Sequence, residues 1–93
     1  MLGKINFNFI TDLSKVPQRV ATAMAEIESP SLVGASYVPL MYIGEQIVRG
    51  KNYWFIAEQT LTTRDFDKHL VLIAVNDFED KFEIVNSSIV RII

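Results

Sequence analysis

Apolar and polar residues alternate at the start of the chain. Ile5, Phe7 and Phe9 are separated by Asn6 and Asn8. This period of two is typical of a strand that buries one face and exposes the other. We therefore predict a half-buried β-strand at this position.

A different spacing follows between residues 14 and 28. Its apolar residues recur three or four positions apart, which places them along one side of a helix. This stripe consists of Val16, Val20, Ala23, Met24 and Ile27. Asp12 or Ser14 can cap the first turn, and Pro17 is tolerated if it lies in that turn. The pattern predicts a single helix from Ser14 to Glu28 that ends before Pro30.

After Pro30 the chain has the pattern of β-strands separated by polar turns. The predicted strands are residues 36–48, 51–61, 69–75 and 82–93, with a turn at residues 76–81. Pro39 cannot donate to a strand ladder, so it predicts an edge position or a bulge, and Gly44 predicts a second bulge. The order predicts one α+β domain over residues 1–93, with one α-helix packed across a four- to five-stranded antiparallel β-sheet.

The absence of cysteine excludes disulfides, thiolate metal sites and a cysteine nucleophile. The net charge is −2 and the lysines and arginines are scattered, so we expect no nucleic-acid partner. The N-terminal segment lacks the pattern of a signal peptide, and no stretch is apolar enough to span a membrane. These features favour a cytoplasmic protein without a membrane partner.

Candidate catalytic and metal-binding residues are few. His69 is the only histidine and begins an apolar strand, a position more typical of packing than of catalysis. Asp77, Glu79 and Asp80 lack the glycine and closing carboxylate of a calcium loop, so a solvated turn is expected. A small enzyme with a helix wrapped in a sheet would need a placed acid–base pair, and the sequence shows none. We expect neither an enzyme nor a cofactor.

The sequence QIVRG, residues 46–50, joins two predicted strands. Read by itself, it is a hairpin turn that needs a glycine, with Ile47 and Val48 as strand residues. Together with the Asn52 and Tyr53 that follow, it resembles the Gln-x-Val-x-Gly signature of the cystatin family, and among its branches the stefins. The resemblance extends from the helix to Ile93, because the order of helix and strands also agrees.

Cystatins inhibit papain-like cysteine proteases with a wedge made of an N-terminal trunk, a first hairpin and a second hairpin. The resemblance therefore implies a reversible inhibitor whose partner is a papain-like cysteine protease. The implied protease-binding residues are Gly3 in the trunk, Gln46, Ile47, Val48, Arg49 and Gly50 in the first hairpin, and Asn76, Asp77 and Phe78 in the second hairpin.

Two features differ from the pattern of the family. The second hairpin lacks the Pro-Trp or Pro-Gly of many members, and its three acidic residues should be costly to desolvate against a neutral cleft. The trunk has only Met1 and Leu2 ahead of Gly3. Both differences favour the alternative of a non-inhibitory cystatin-like domain that uses its sheet for binding or oligomerisation.

Self-association is expected for two reasons. Tyr53 and Phe55 point to one face of their strand and Trp54 to the other, so the face without the helix must expose aromatic groups or meet a partner such as a second copy. In addition, backbone strain at Val48 would favour a domain-swapped dimer with residues 49–51 as the hinge.

Overall fold

The computed structural model describes residues 3–28, 35–61 and 68–89. Its elements are β1 (Ile5–Ile10), a 3₁₀ turn (Leu13–Lys15), α1 (Gln18–Glu28), β2 (Ala35–Val48), β3 (Gly50–Leu61), β4 (Lys68–Phe78) and β5 (Lys81–Ile89). The strands form one antiparallel sheet in the order β1-β2-β3-β4-β5, and α1 packs across one of its faces. This confirms the predicted α+β fold.

The apolar stripe of the helix faces the sheet as predicted. Val20, Ala23 and Ile27 are buried, and Val16 and Met24 pack at the margin of the same core. These helix residues pack against fully buried side chains of the central strands, among them Phe55 on β3 and Ile73 on β4. In the described part of the chain, α1 is the only α-helix, and its 11 residues are too few to cross a membrane.

The helix begins later than predicted, at Gln18 instead of Ser14. The Asp12 carboxylate accepts hydrogen bonds from the Ser14 backbone N–H (3.1 Å) and hydroxyl (2.6 Å), and it caps the 3₁₀ turn instead of the helix. Val16 is extended, with ψ of 152°, because a residue before proline avoids the helical region. The helix can therefore start no earlier than Pro17.

Both predicted bulges in β2 are present. The pairing with β3 shifts register between Pro39 and Met41 and again between Tyr42 and Gly44. The contacts with β1 extend only from Tyr42 to Gln46. Pro39 therefore lies on a stretch of β2 that pairs with β3 and has no partner strand on its other side among the described residues, in agreement with the edge position or bulge expected of a proline.

The prediction that β1 is half-buried is wrong. Phe7 and Phe9 are 65% and 62% exposed, with their ring centroids 5.5 Å apart. The alternation itself is correct, because Phe7 pairs with Gly44 and so points away from α1. Phe7 and Phe9 are exposed because the helix covers the other face of the sheet and no described element packs on them from this side.

The second hairpin is tighter than predicted. β4 continues through Phe78 and β5 begins at Lys81, so the turn consists of Glu79 and Asp80 alone. Both have positive φ, 52° and 62°, as a two-residue type I′ turn requires. Residues 90–93 of the last predicted strand lie outside the described residues.

Candidate functional site

Three segments that are distant in the sequence meet at one end of the sheet. They are Gly3, which precedes β1, the β2–β3 hairpin at residues 46–50, and the β4–β5 hairpin at residues 76–80. We call this region the three-segment edge. It contains every residue that the cystatin resemblance assigned to protease binding.

Gly3 is fixed against the first hairpin. Its backbone N–H donates to the Ile47 carbonyl (3.0 Å), and its own carbonyl accepts from the Gln46 side-chain amide (2.9 Å). A Cβ at Gly3 would lie only 2.3 Å from the Ile47 carbonyl oxygen. The close approach of the N-terminal segment to β2 thus depends on glycine at this position.

Gln46 acts inside the edge instead of at its surface, since it is only 8% exposed. While its amide nitrogen donates to Gly3, its Oε1 accepts from Trp54 Nε1 (3.1 Å) and more weakly from Asn52 Nδ2 (3.5 Å). Two of the motif residues, Gln46 and Asn52, are therefore used to connect the N-terminal segment with β2 and β3. We assign Gln46 as a positioning residue.

The tip of the first hairpin consists of Val48, Arg49 and Gly50. Gly50 has φ of +80°, and a Cβ there would lie 2.3 Å from the Asp77 carbonyl oxygen. Glycine is thus needed both for the turn and for the contact with β4. Within the described chain, the non-glycine residues with positive φ are Glu79 and Asp80, so we find no such strain at the predicted site, Val48.

The two hairpins are held together by side chains. Asn76 Nδ2 donates to the Arg49 carbonyl (3.1 Å) and to Asn52 Oδ1 (2.9 Å). The Arg49 guanidinium lies 4.8 Å from the centre of the Phe78 ring, which is a cation–π distance. These contacts fix the first hairpin beside the second before any partner binds.

Asp77 points to the helix side of the sheet and is 8% exposed. Arg19 on α1 binds it with two hydrogen bonds, from Nε (2.7 Å) and from Nη2 (2.8 Å), and Tyr53 donates its hydroxyl (3.3 Å). The Arg19 hydrogen bonds lower the pKa of Asp77, against the opposing effect of burial. Asp77 is therefore an internal anchor for the second hairpin.

The acidic character expected of the second hairpin is only partly compensated. Arg19 also donates to Asp80 Oδ1 (2.9 Å), so one cation holds two of the three acids, and Glu79 remains exposed. The sequence did not reveal Arg19, because it lies one position from the apolar stripe and 58 residues from Asp77. Asp77 is already buried, so the desolvation cost that we expected of three free carboxylates falls on the exposed Glu79 and Asp80.

The outward surface of the edge is mostly apolar. Ile47 is 50% exposed, and Val48 and Phe78 are partly exposed on either side of a shallow groove of about 390 Å³. Arg49 is the exposed cation of the hairpin tip. In the described ranges no cluster of three or more histidine and carboxylate side chains could hold a metal ion. The edge therefore presents apolar side chains around the groove, with Arg49 at one hairpin tip and the exposed Glu79 and Asp80 at the other.

No family model, curated protein or solved structure matches the chain.

Proposed function

We propose that this chain is a reversible inhibitor of papain-like cysteine proteases and that it inserts the three-segment edge into the active-site cleft. One observation carries the proposal. The three segments that the resemblance assigned to a single wedge are joined by direct contacts, namely Gly3 to Ile47, Asn76 to Arg49, and Arg49 to Phe78.

The edge is suited to tight binding because its parts are already ordered. Hydrogen bonds hold Gly3 and the Arg49 carbonyl in place, so little conformational entropy is lost on association. Ile47 and Val48 are stiff, β-branched groups that lose few rotamers on burial. Their exposed apolar surface supplies the favourable term when a cleft covers it.

The same geometry explains how the hairpin could resist cleavage. A protease requires an extended segment across its nucleophile, whereas the peptide after Arg49 lies in a tight turn with Gly50 at φ of +80°. The Arg49 carbonyl is also engaged by Asn76. Cleavage at this point would require the hairpin to open and lose its contacts with β4.

The proposal is tested by inhibition of papain and of cathepsin-like proteases with a fluorogenic substrate. We expect inhibition by the wild-type chain and a loss of about a thousandfold or more in affinity for Val48→Asp, because the cleft would have to bury an unpaired carboxylate. Val38→Asp is the matched control, since it makes the same change on β2 at an exposed position far from the edge. Full protease activity at about 10 µM wild-type chain would refute the proposal.

The exposed apolar face of the sheet favours a second candidate function. Phe7, Phe9 and Val38 are all more than half exposed on the face opposite α1. A non-inhibitory domain that uses this face for binding or oligomerisation would leave papain fully active. The same assay therefore separates the two functions.

A further inference from the structure

A cavity of about 430 Å³ lies on the helix side of the sheet, beside the start of α1. Asn6 and Asn8 of β1 form one wall, and residues 17–20 form another. The buried residues Tyr42 and Tyr53 line it from the sheet. We call it the helix-start cavity. It contains no residue that we assigned to protease binding, and its volume is typical of small-molecule sites.

The Tyr42 hydroxyl opens into this cavity. Tyr42 is only 3% exposed, and its hydroxyl makes no hydrogen bond with a described residue. In the described part of the chain, every fully enclosed polar side-chain atom has a hydrogen-bond partner. The unpartnered Tyr42 hydroxyl must therefore be accessible, and the helix-start cavity, which Tyr42 lines, is where it is reached. Burial raises the pKa of this hydroxyl to about 12, so it stays protonated at neutral pH and can donate a hydrogen bond.

Backbone N–H groups at the same cavity also lack an acceptor. The Pro17 carbonyl accepts the first helical hydrogen bond, from the Ala21 N–H (3.0 Å), so Pro17 is the N-cap residue. Proline has no side-chain oxygen, and no described group accepts from the N–H groups of Gln18, Arg19 and Val20. The first turn also contains no acidic residue. The positive end of the helix dipole is therefore uncompensated where α1 forms the cavity wall.

The charged side chains around the cavity are held in ion pairs. Lys51 lies 3.3 Å from Glu45, and Arg19 lies 2.7 Å from Asp77. A phosphate with two negative charges would need a free cation, and neither Lys51 nor Arg19 is free. A monocarboxylate has a single charge, which the positive end of the helix dipole can stabilise. Its two oxygens can accept from the first-turn N–H groups and from Tyr42.

Apolar surface next to these donors determines the rest of the ligand. The ring of Pro17 and the aromatic rings of Tyr42 and Tyr53 line the cavity, and flat surfaces of this kind favour an aromatic body. We propose that the helix-start cavity binds a small aromatic carboxylate, whose carboxylate group accepts hydrogen bonds from the first turn of α1 and from Tyr42. The proposal is independent of protease inhibition, because the cavity and the three-segment edge share no residue.

The test titrates the ¹⁵N-labelled chain with benzoate, and with benzamide, which has a similar shape but no charge. Benzoate should bind with a Kd of about 1 mM or lower and shift the amide signals of Gln18, Arg19 and Val20. Benzamide and inorganic phosphate should each bind about tenfold more weakly or worse. Tyr42→Phe should weaken benzoate binding about tenfold, because a hydrogen bond to a charged group is lost.

Replacement of Pro17 tests the role of the helix start. Pro17→Asp supplies a carboxylate at the N-cap, which accepts from the same N–H groups and should abolish benzoate binding. Pro17→Ala is the matched control, since it also lacks a cap and should bind benzoate as the wild type does. The thermal midpoint of Pro17→Asp should lie about 4–8 °C above that of Pro17→Ala, which would exclude unfolding as the cause of lost binding.

Four results would each overturn the proposal. They are a wild-type chain without shifts at about 10 mM benzoate, benzamide or phosphate that binds as tightly as benzoate, Tyr42→Phe with unchanged affinity, and Pro17→Asp that still binds benzoate.

Discussion

Replacing Gly50 by alanine tests whether the two hairpins are packed as closely as the structure shows. At φ of +80°, an L-residue costs about 1–2 kcal/mol relative to glycine. The added Cβ would lie 2.3 Å from the Asp77 carbonyl oxygen, and the backbone shift that relieves such an overlap costs about 1–3 kcal/mol. The lower entropy of the unfolded alanine chain offsets about 0.5–1 kcal/mol.

We therefore expect Gly50→Ala to lower the free energy of unfolding by about 2–4 kcal/mol. With a urea m-value of about 1–1.5 kcal/mol/M for a small domain, the midpoint should fall by roughly 2 M. Urea unfolding followed by circular dichroism measures this shift. Arg49→Ala is the neighbouring control, and its effect should stay within about 1 kcal/mol because it removes only an exposed cation–π contact with Phe78.

Chemical synthesis with D-alanine at position 50 removes both costs, the backbone strain and the overlap with Asp77, while it keeps the methyl group. A D-residue favours positive φ and directs its Cβ away from the site that the L-residue would occupy. We expect it to restore most of the lost stability. A Gly50→Ala chain as stable as the wild type would refute the close packing of the first hairpin against β4.

The remaining predictions concern the second hairpin and the titration of buried groups. Glu79→Asn should raise the free energy of unfolding by about 0.5–1 kcal/mol, because asparagine tolerates the positive φ of this turn better; an unchanged thermal midpoint would contradict the turn geometry. Burial and the nearby Glu45 carboxylate raise the pKa of Tyr42 to about 12. As the pH rises, the unfolded chain therefore loses the Tyr42 hydroxyl proton before the folded chain does. The free energy of unfolding should fall by roughly 1 kcal/mol between pH 10 and pH 11. Tyr42→Phe should reduce that slope, and an identical slope would assign the effect to other groups. Hydrogen bonds from Arg19 lower the pKa of Asp77, so the contribution of Asp77 to the free energy of unfolding is present above the unfolded pKa and should be lost as the pH falls below about 4. Asp77→Asn should flatten the acid side of a curve of stability against pH. An unchanged curve would contradict the ion pair.

The parts of the fold that could be predicted are those set by local pattern. The spacing of Val20, Ala23 and Ile27 determines which side of α1 is buried, whatever the rest of the chain does. Pro39 and Gly44 indicated the bulges of β2. Proline cannot donate a ladder hydrogen bond, and glycine can adopt backbone angles outside those of a regular strand. These signals are carried by single residues and by short-range periodicity.

Other features were hidden because they arise from contacts between distant residues. The turn at Glu79 and Asp80 contains neither asparagine nor glycine, so its positive φ values had no local signature. The alternation in β1 was visible, but whether Phe7 would be covered depended on which face the helix took. The spacing of apolar residues along a strand does not show which element of the fold packs against them.

The residues of the candidate site could be grouped from the sequence, but which of them are internal and which are exposed could not be predicted. The motif directed attention to Gln46, Gly50 and Asp77 together with exposed residues such as Val48. The structure places Gln46 and Asp77 in internal hydrogen bonds and leaves Val48 partly exposed at the tip. Burial separates positioning residues from contact residues, and it is a tertiary property.

The most direct test of the proposed inhibitory edge is a titration of the ¹⁵N-labelled chain with papain whose catalytic thiol is chemically blocked. Amide signals should shift or broaden at Gly3, at residues 48–50 and at Phe78, while those of α1 and of Phe7 remain unchanged. Unperturbed signals at equimolar protease, at about 100 µM, or changes confined to the sheet face opposite α1, would contradict the claim that the three-segment edge binds a papain-like protease.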